Sequence, residues 1–261
     1  MFLIRLCASA QTSYLGFDRN EYPGDANLAE LRKTFSYTGY WLNNPPGANA
    51  NSWTGKRTQV NAAGFGFLVL FNGRLYAELK NVDRAKKLGE SDAQAATASA
   101  RREGFPASTV IFLDQEQGGR LLPEQKAYLF AWIDGVTREG FGVGVYCSGI
   151  GARDDGNIVT VNDIRSAAAS RKISYWVTQD GCPPSPGCML VPRLAPGVSG
   201  VAFADIWQYA QSPRRKDVAA ACRGYSSDGG CYLPESSGVA KLHLDLNTAS
   251  SADPSHGKTE K

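Results

Sequence analysis

Apolar positions along the chain gather into eight short runs, each bounded by Gly, Pro, Asn or charged residues. They are YLGFDR (14–19), TGYWL (38–42), GFGFLVLFN (64–72), TVIFLDQE (109–116), GVGVYCS (142–148), ISYWVTQ (173–179), ADIWQYA (204–210) and KLHLDLN (241–247). They are short and rich in β-branched and aromatic residues, so all eight read as strands. Between most of them lie helical stretches, at 25–35, 54–63, 91–103, 123–139, 162–172 and 217–223. The fourth is the best defined. Pro123 stands at its start, and Tyr128, Leu129, Trp132, Ile133 and Val136 make one apolar stripe.

Strand alternating with helix implies parallel strands joined by crossover helices. Eight such units in 261 residues fit an α/β fold closed into a (β/α)8 TIM-type barrel, which takes about 250 residues. The segment between strands six and seven is Pro-rich and irregular, which leaves open whether a regular helix fills it. The barrel is expected to span residues 14–248 without a linker. Residues 249–261 are polar and read as a disordered tail. Residues 1–13 are ambiguous. Ala8-Ser9-Ala10 has the form of a signal cleavage site, yet the apolar stretch before it is short and Arg5 interrupts it. A signal-peptide remnant and a frayed N-terminus both remain open.

Composition narrows the function classes. A net charge of +3 and no basic cluster longer than Arg214-Arg215-Lys216 give nucleic acid little to bind. No run approaches the roughly 18 apolar residues of a membrane span. Two Cys pairs lie in Pro- and Gly-rich loops, Cys182/Cys188 and Cys222/Cys231. They read as two local disulfides and so as a secreted or cell-wall-associated protein. A zinc site would need C-x2–4-C spacing, which neither pair has. Cys147 lies inside a strand and reads as a buried thiol. No cofactor fingerprint and no metal-ligand pattern is present, and a monomer is expected.

The barrel reading directs attention to the C-terminal ends of the strands, where catalytic groups of such barrels collect. Polar residues gather there: Asp18 on strand one, Asp114 and Glu116 on strand four, Gln179 on strand six, Gln208 on strand seven, Asp245 and Asn247 on strand eight. Asp114 and Glu116 are two residues apart, which puts them on one face of a strand with Cα atoms roughly 6.5–7 Å apart. Glycoside hydrolysis needs two carboxyl groups beside one bond, a proton donor and an ionised partner. Crowding acids together pushes their pKa values apart and so separates the roles. Asp18 and Asp245 come from strands that are neighbours in a closed barrel, so four carboxylates would face one cleft. For any single acid, pairing with Arg19 or Arg74, or capping a helix, is the simpler reading. Tyr40, Trp41, Tyr146, Trp176, Trp207 and Tyr209 could stack on sugar faces, though each could equally be core. Histidine is scarce: His243 reads as a core residue and His256 lies in the tail. That weakens Ser-His-Asp and multi-His metal chemistry. Ser148 also lacks the glycine two residues before it that a nucleophile elbow needs.

The blocks GFDRNEYPGD, GYWLNNPP, SWTGKR, GFGFLVLFNGR, IFLDQEQGG, GVGVYCSG, IWQYAQ and LHLDLN resemble the glycoside-hydrolase-like domain of unknown function family 1906. That domain is similar to the family 25 lysozyme-type glycoside hydrolases. The resemblance runs from about Tyr14 to Asn247. It implies a TIM-type barrel acting on, or bound to, cell-wall or other amino-sugar glycans. It implies Glu116 as general acid, and Asp114 as the residue that orients or stabilises an intermediate formed by the substrate's N-acetyl group. Asp18 and Asp245 match the strand-one and strand-eight aspartates of the lysozymes. Tyr40, Tyr146, Gln179, Trp207, Gln208, Tyr209 and Asn247 are the candidate substrate contacts. Strand six (YWVTQD), the Cys182–Cys188 loop and the NEYPGD block depart from the lysozyme pattern. Two function classes follow: a secreted glycosidase, or a non-catalytic glycan-binding or wall-associated barrel that keeps the cleft.

Overall fold

A computed structural model describes residues 13–153, 156–191, 194–239 and 241–258. Eight strands form a closed barrel: β1 (Tyr14–Asp18), β2 (Tyr37–Trp41), β3 (Gly66–Asn72), β4 (Val110–Asp114), β5 (Gly142–Ser148), β6 (Ser174–Thr178), β7 (Ile206–Ala210) and β8 (Asp245–Ala249). The helices are α1 (Asp25–Thr34), α2 (Arg57–Ala62), α3 (Tyr76–Leu79), α4 (Val82–Arg102), α5 (Pro123–Arg138) and α6 (Thr160–Ala167). A small hairpin, Gly151–Ala152 with Ile158–Val159, stands outside the barrel. The α/β barrel class expected from the alternation is therefore present.

Two of the longer helices start where local chemistry supplies partners for free N–H groups. The Asn81 side chain accepts from Arg84 N at 2.9 Å to begin α4. Pro123 opens α5, and Leu122 N donates to Gln125 Oε1 at 2.9 Å. Close packing inside the barrel depends on missing side chains. A Cβ on Gly144 would sit 2.3 Å from the Phe112 ring, and one on Gly39 would sit 2.6 Å from the Asp18 Cβ. Gly39 thus clears the space that Asp18 occupies.

Several expectations are corrected. The last strand begins at Asp245 rather than ending near it, and it runs antiparallel to both β1 and β7, while the other strand pairs are parallel. Asp245 still lies at the carboxyl end of the barrel, because reversing the strand brings its start to that end. Residues 217–223 make turns instead of a helix. Between β6 and β7, where the sequence left a regular helix open, the described residues contain only a 3-10 turn, Pro196–Ser199, in line with the irregular reading. The disulfides join Cys182 to Cys222 and Cys188 to Cys231, not the local pairs. The two loops lie side by side, with Cys188 N donating to Arg223 O at 2.8 Å, so the bonds staple one loop to the other. Cys147 is a free buried thiol as expected.

The tail is ordered through Lys258 where disorder was expected. Parallel strands leave N–H groups open at the barrel's lower end, and the tail accepts from them. Phe67 N donates to Asp253 Oδ1 at 2.7 Å and Val69 N to Ser255 Oγ at 2.8 Å. Residues 1–12, including the signal-like segment, and residues 259–261 lie outside the described residues.

Candidate active site

The carboxyl ends of the strands surround a cleft of about 360 Å³. Inward-facing positions of successive strands line it: Asp18, Trp41, Leu70, Asp114, Tyr146, Trp176, Gln208 and Asp245. Glu116 joins them from the loop just past β4. All four carboxylates singled out in the sequence reach this one cavity. Among the described residues no cluster of His, Cys, Asp and Glu fit for a metal ion occurs.

Gln208 sits at the centre of the floor. Its Oε1 accepts from the Tyr146 hydroxyl at 2.8 Å, and its Nε2 donates to Asp18 Oδ1 at 3.0 Å and Asp245 Oδ2 at 3.3 Å. Asn247, fully buried beneath, donates to Asp18 Oδ1 at 2.6 Å and accepts from Trp176 Nε1 at 2.9 Å. Ser212 N donates to Asp245 Oδ1 at 2.6 Å, and Gln211 Nε2 to the Tyr146 oxygen at 3.2 Å. Burial raises the Asp18 carboxyl to about 6, although Asn247 and Gln208 stabilise its ionised form. Burial and the neighbouring Asp18 push Asp245 well above the ordinary carboxylate range.

The β4 side differs. Asp114 is buried, and its Oδ1 has no hydrogen-bond partner among the described residues. Burial, followed by the adjacent Glu116, pushes its pKa well up, and the two carboxyl groups share a hydrogen bond. Glu116 is open to the cleft solvent yet walled by protein, which raises its own pKa. The Asp114 hydrogen bond and the Arg215 guanidinium oppose that rise. Arg215 is held by both carboxylate oxygens of Asp180, which is fully buried.

The aromatic and amide candidates divide. Tyr146 and Gln208 line the cleft, and Asn247 supports its floor from below. Tyr40, Gln179, Trp207 and Tyr209 do not reach it. The Tyr40 hydroxyl donates to Trp53 O at 2.7 Å behind the sheet, and its ring packs on Phe67 and Phe105. Trp207 Nε1 donates to Gln179 O at 2.8 Å, and the Tyr209 hydroxyl to Met189 O at 3.0 Å. Side-chain alternation is the reason: Gln208 points in, so Trp207 and Tyr209 point out. Gln179 bends back onto Gly181 N, 3.1 Å away. His243, read as core, instead stands exposed at the cleft rim with its ring 6.1 Å from Tyr232. Ser212 and Arg215 had no signal in the strand pattern, because both lie in the irregular loop after β7.

The chain is thus a closed α/β barrel with four carboxylates converging at the carboxyl ends of its strands. The chain belongs to the Rv2525c-like, glycoside hydrolase-like domain family, whose model matches residues 36–185. Solved structures share the fold. An uncharacterized B. stearothermophilus protein is 19% identical with TM-score 0.54, over 90% of this chain and 95% of that one. The Mycobacterium tuberculosis Tat-secreted protein Rv2525c is 13% identical with TM-score 0.53, over 91% and 94%. The bacterial lysozyme from Streptomyces coelicolor is 13% identical with TM-score 0.54, over 94% and 98%. A comparison with curated proteins finds no match.

Proposed function

We propose that the protein is a secreted glycoside hydrolase acting on cell-wall or other amino-sugar glycans, with Glu116 as proton donor. The observation that carries this reading is the convergence of Asp18, Asp114, Glu116 and Asp245 on one cleft. Glu116 is the carboxyl group of the β4 pair that solvent, and hence a substrate oxygen, can reach. Its raised pKa favours the protonated form that a leaving oxygen needs. Asp114 Oδ1 is a buried acceptor without a protein donor, which suits the N–H of a substrate acetamido group. Held there, the acetamido oxygen can attack the anomeric carbon as the glycosidic bond breaks, and Glu116 protonates the departing oxygen. Asp18 and Asp245, fixed by Gln208, set the floor against which the sugar lies. Two disulfides support an oxidising compartment, and no helix among the described residues is long and apolar enough to cross a membrane.

The test is release of reducing ends from purified peptidoglycan and from N-acetylglucosamine oligomers, analysed by mass spectrometry. Glu116→Gln should abolish product while glycan binding persists. Equal product from wild type and variant would remove Glu116 as the acid. Binding without any product from the wild-type protein would assign it to the non-catalytic class.

A further inference from the structure

The loop from β7 to β8 carries part of the hold on the cleft floor, yet it has little core of its own. Among the described residues of 211–244 it forms only one 3-10 turn, Glu235–Ser237, and it buries four hydrophobic residues. Two of those four are Cys222 and Cys231. A segment with so few packed side chains opens locally unless something else ties it down. The disulfides do so, by joining it to the loop between β6 and β7. A short path of hydrogen bonds runs from one of them to the floor. Cys231 N donates to Ser212 Oγ at 2.8 Å, and Ser212 Oγ donates to Leu244 O at 2.8 Å. Leu244 N donates back to Cys231 O at 2.9 Å. Ser212 N in turn donates to Asp245 Oδ1 at 2.6 Å, so two hydrogen bonds separate Cys231 from that carboxyl group. The Cys182–Cys222 bond stands elsewhere, with Cys222 Sγ 3.2 Å from Asp180 O.

We propose that Ser212 is a positioning residue for Asp245, and that the Cys188–Cys231 disulfide is a redox-sensitive latch that keeps it in place. Oxidised, the latch pins Cys231, and Cys231 holds Ser212 so that its N–H meets the carboxyl group. Reduced, the loop opens locally and Asp245 Oδ1 loses its backbone donor. Cys188 is half-buried and Cys231 is 1% exposed, so Cys188 is the partner that a dithiol reductant reaches. A thiolate of the reductant attacks Cys188, the S–S bond breaks and Cys231 leaves. The second thiol of the reductant then displaces Cys188 from the mixed disulfide. Two electrons and two protons pass to the cysteines, which end as thiols, and the reductant ends as a disulfide. The consequence for turnover rests on the hydrolase reading; the latch itself does not.

The experiment is amide hydrogen exchange, followed by NMR, on the full chain with and without a dithiol reductant; mass spectrometry establishes which disulfides are open. Gln115 N, which donates to Tyr146 O at 2.9 Å in the barrel wall, reports any global unfolding. Reduction should speed exchange at Ser212 N by about tenfold or more while Gln115 stays protected, and reoxidation should restore it. Cys188→Ala/Cys231→Ala should reproduce the gain, and Cys182→Ala/Cys222→Ala should not. Where the reduced chain or the first cysteine variant loses protection throughout the barrel, Ser212→Ala decides. It keeps both disulfides and removes only the hydroxyl between Cys231 and Leu244. The amide at position 212 should then exchange about tenfold faster, whereas Ser212→Thr should retain protection. Unchanged exchange at that amide in a folded reduced chain or in Ser212→Ala, or equal gains from both cysteine pairs, would overturn the proposal. Product release from N-acetylglucosamine oligomers should fall on reduction in step with the loss of protection. Absence of product from the oxidised chain would defeat the hydrolase reading and leave the latch standing.

Discussion

The two halves of the carboxylate ring are built on different terms. Asp18 and Asp245 are locked: amide groups of Gln208 and Asn247 and the backbone of Ser212 hold their oxygens. Asp114 and Glu116 lean mainly on each other, and one buried Asp114 oxygen is unsatisfied. The first pair resembles a scaffold and the second a device left incomplete until something enters the cleft. A buried acceptor without a donor is costly, and native proteins retain such groups where function uses them. The difference teaches that clustering alone does not assign roles to acids; the hydrogen-bond accounting around each one does.

The largest effect should fall on the open pair. Glu116→Gln is expected to lower turnover by about 10³-fold, as loss of a general acid does, with stability changed by less than about 0.5 kcal/mol. Steady-state rates and urea unfolding check both halves of that statement. A rate loss traced to unfolding would erase the contrast between device and scaffold.

The next effect concerns the locked pair and pH. Asp18 ionises near 6 when folded and near 3.8 when its environment is lost. Between those values the folded chain binds the extra proton, so its contribution to stability is complete below pH 3.8 and is lost as pH rises through 6. Relative to Asp18→Asn, the wild type should therefore lose on the order of 3 kcal/mol of stability across that window. Urea unfolding at a series of pH values reads this directly, and a parallel profile for the two proteins would show that Asp18 is not the titrating group.

Gln208→Leu should cost about 2 kcal/mol, because Tyr146, Asp18 and Asp245 each lose a buried partner. The loss should appear in thermal melts together with lower turnover. A variant as stable as wild type would mean that the floor does not depend on its central amide.

The smallest effect is on the proton donor's poise. Arg215 lowers the pKa of Glu116, so removing the cation should raise it and move the alkaline limb of kcat/KM upward by less than about one pH unit. The double variant Arg215→Met/Asp180→Asn avoids leaving Asp180 buried and unpaired. An unmoved alkaline limb would separate Arg215 from the Glu116 equilibrium.

Much of the fold was legible because periodicity reports burial. Strands β2 to β7 fall within two residues of the apolar runs, since a barrel strand is buried on both faces. The last strand was misplaced because KLHLDLN alternates well enough to be a strand, while pairing moved it to Asp245–Ala249. Helix 217–223 failed because two disulfides and the Arg215–Asp180 pair hold that loop in turns. The tail's polarity alone predicts disorder, and its order comes from barrel N–H groups that no local pattern displays.

The sequence by itself determined the barrel class, the end of the barrel that carries polar chemistry, and the four carboxylates, because strand period and strand ends are local properties. Tertiary structure decided which way the last strand runs, which cysteines pair, and which side of each strand faces the cleft. It turned Tyr40, Gln179, Trp207 and Tyr209 away from the cavity and brought His243, Ser212 and Arg19 to its edge. Those outcomes depend on register and on contacts between residues far apart in the chain, such as Asn247 with Asp18. A one-residue change of phase reverses what a side chain meets.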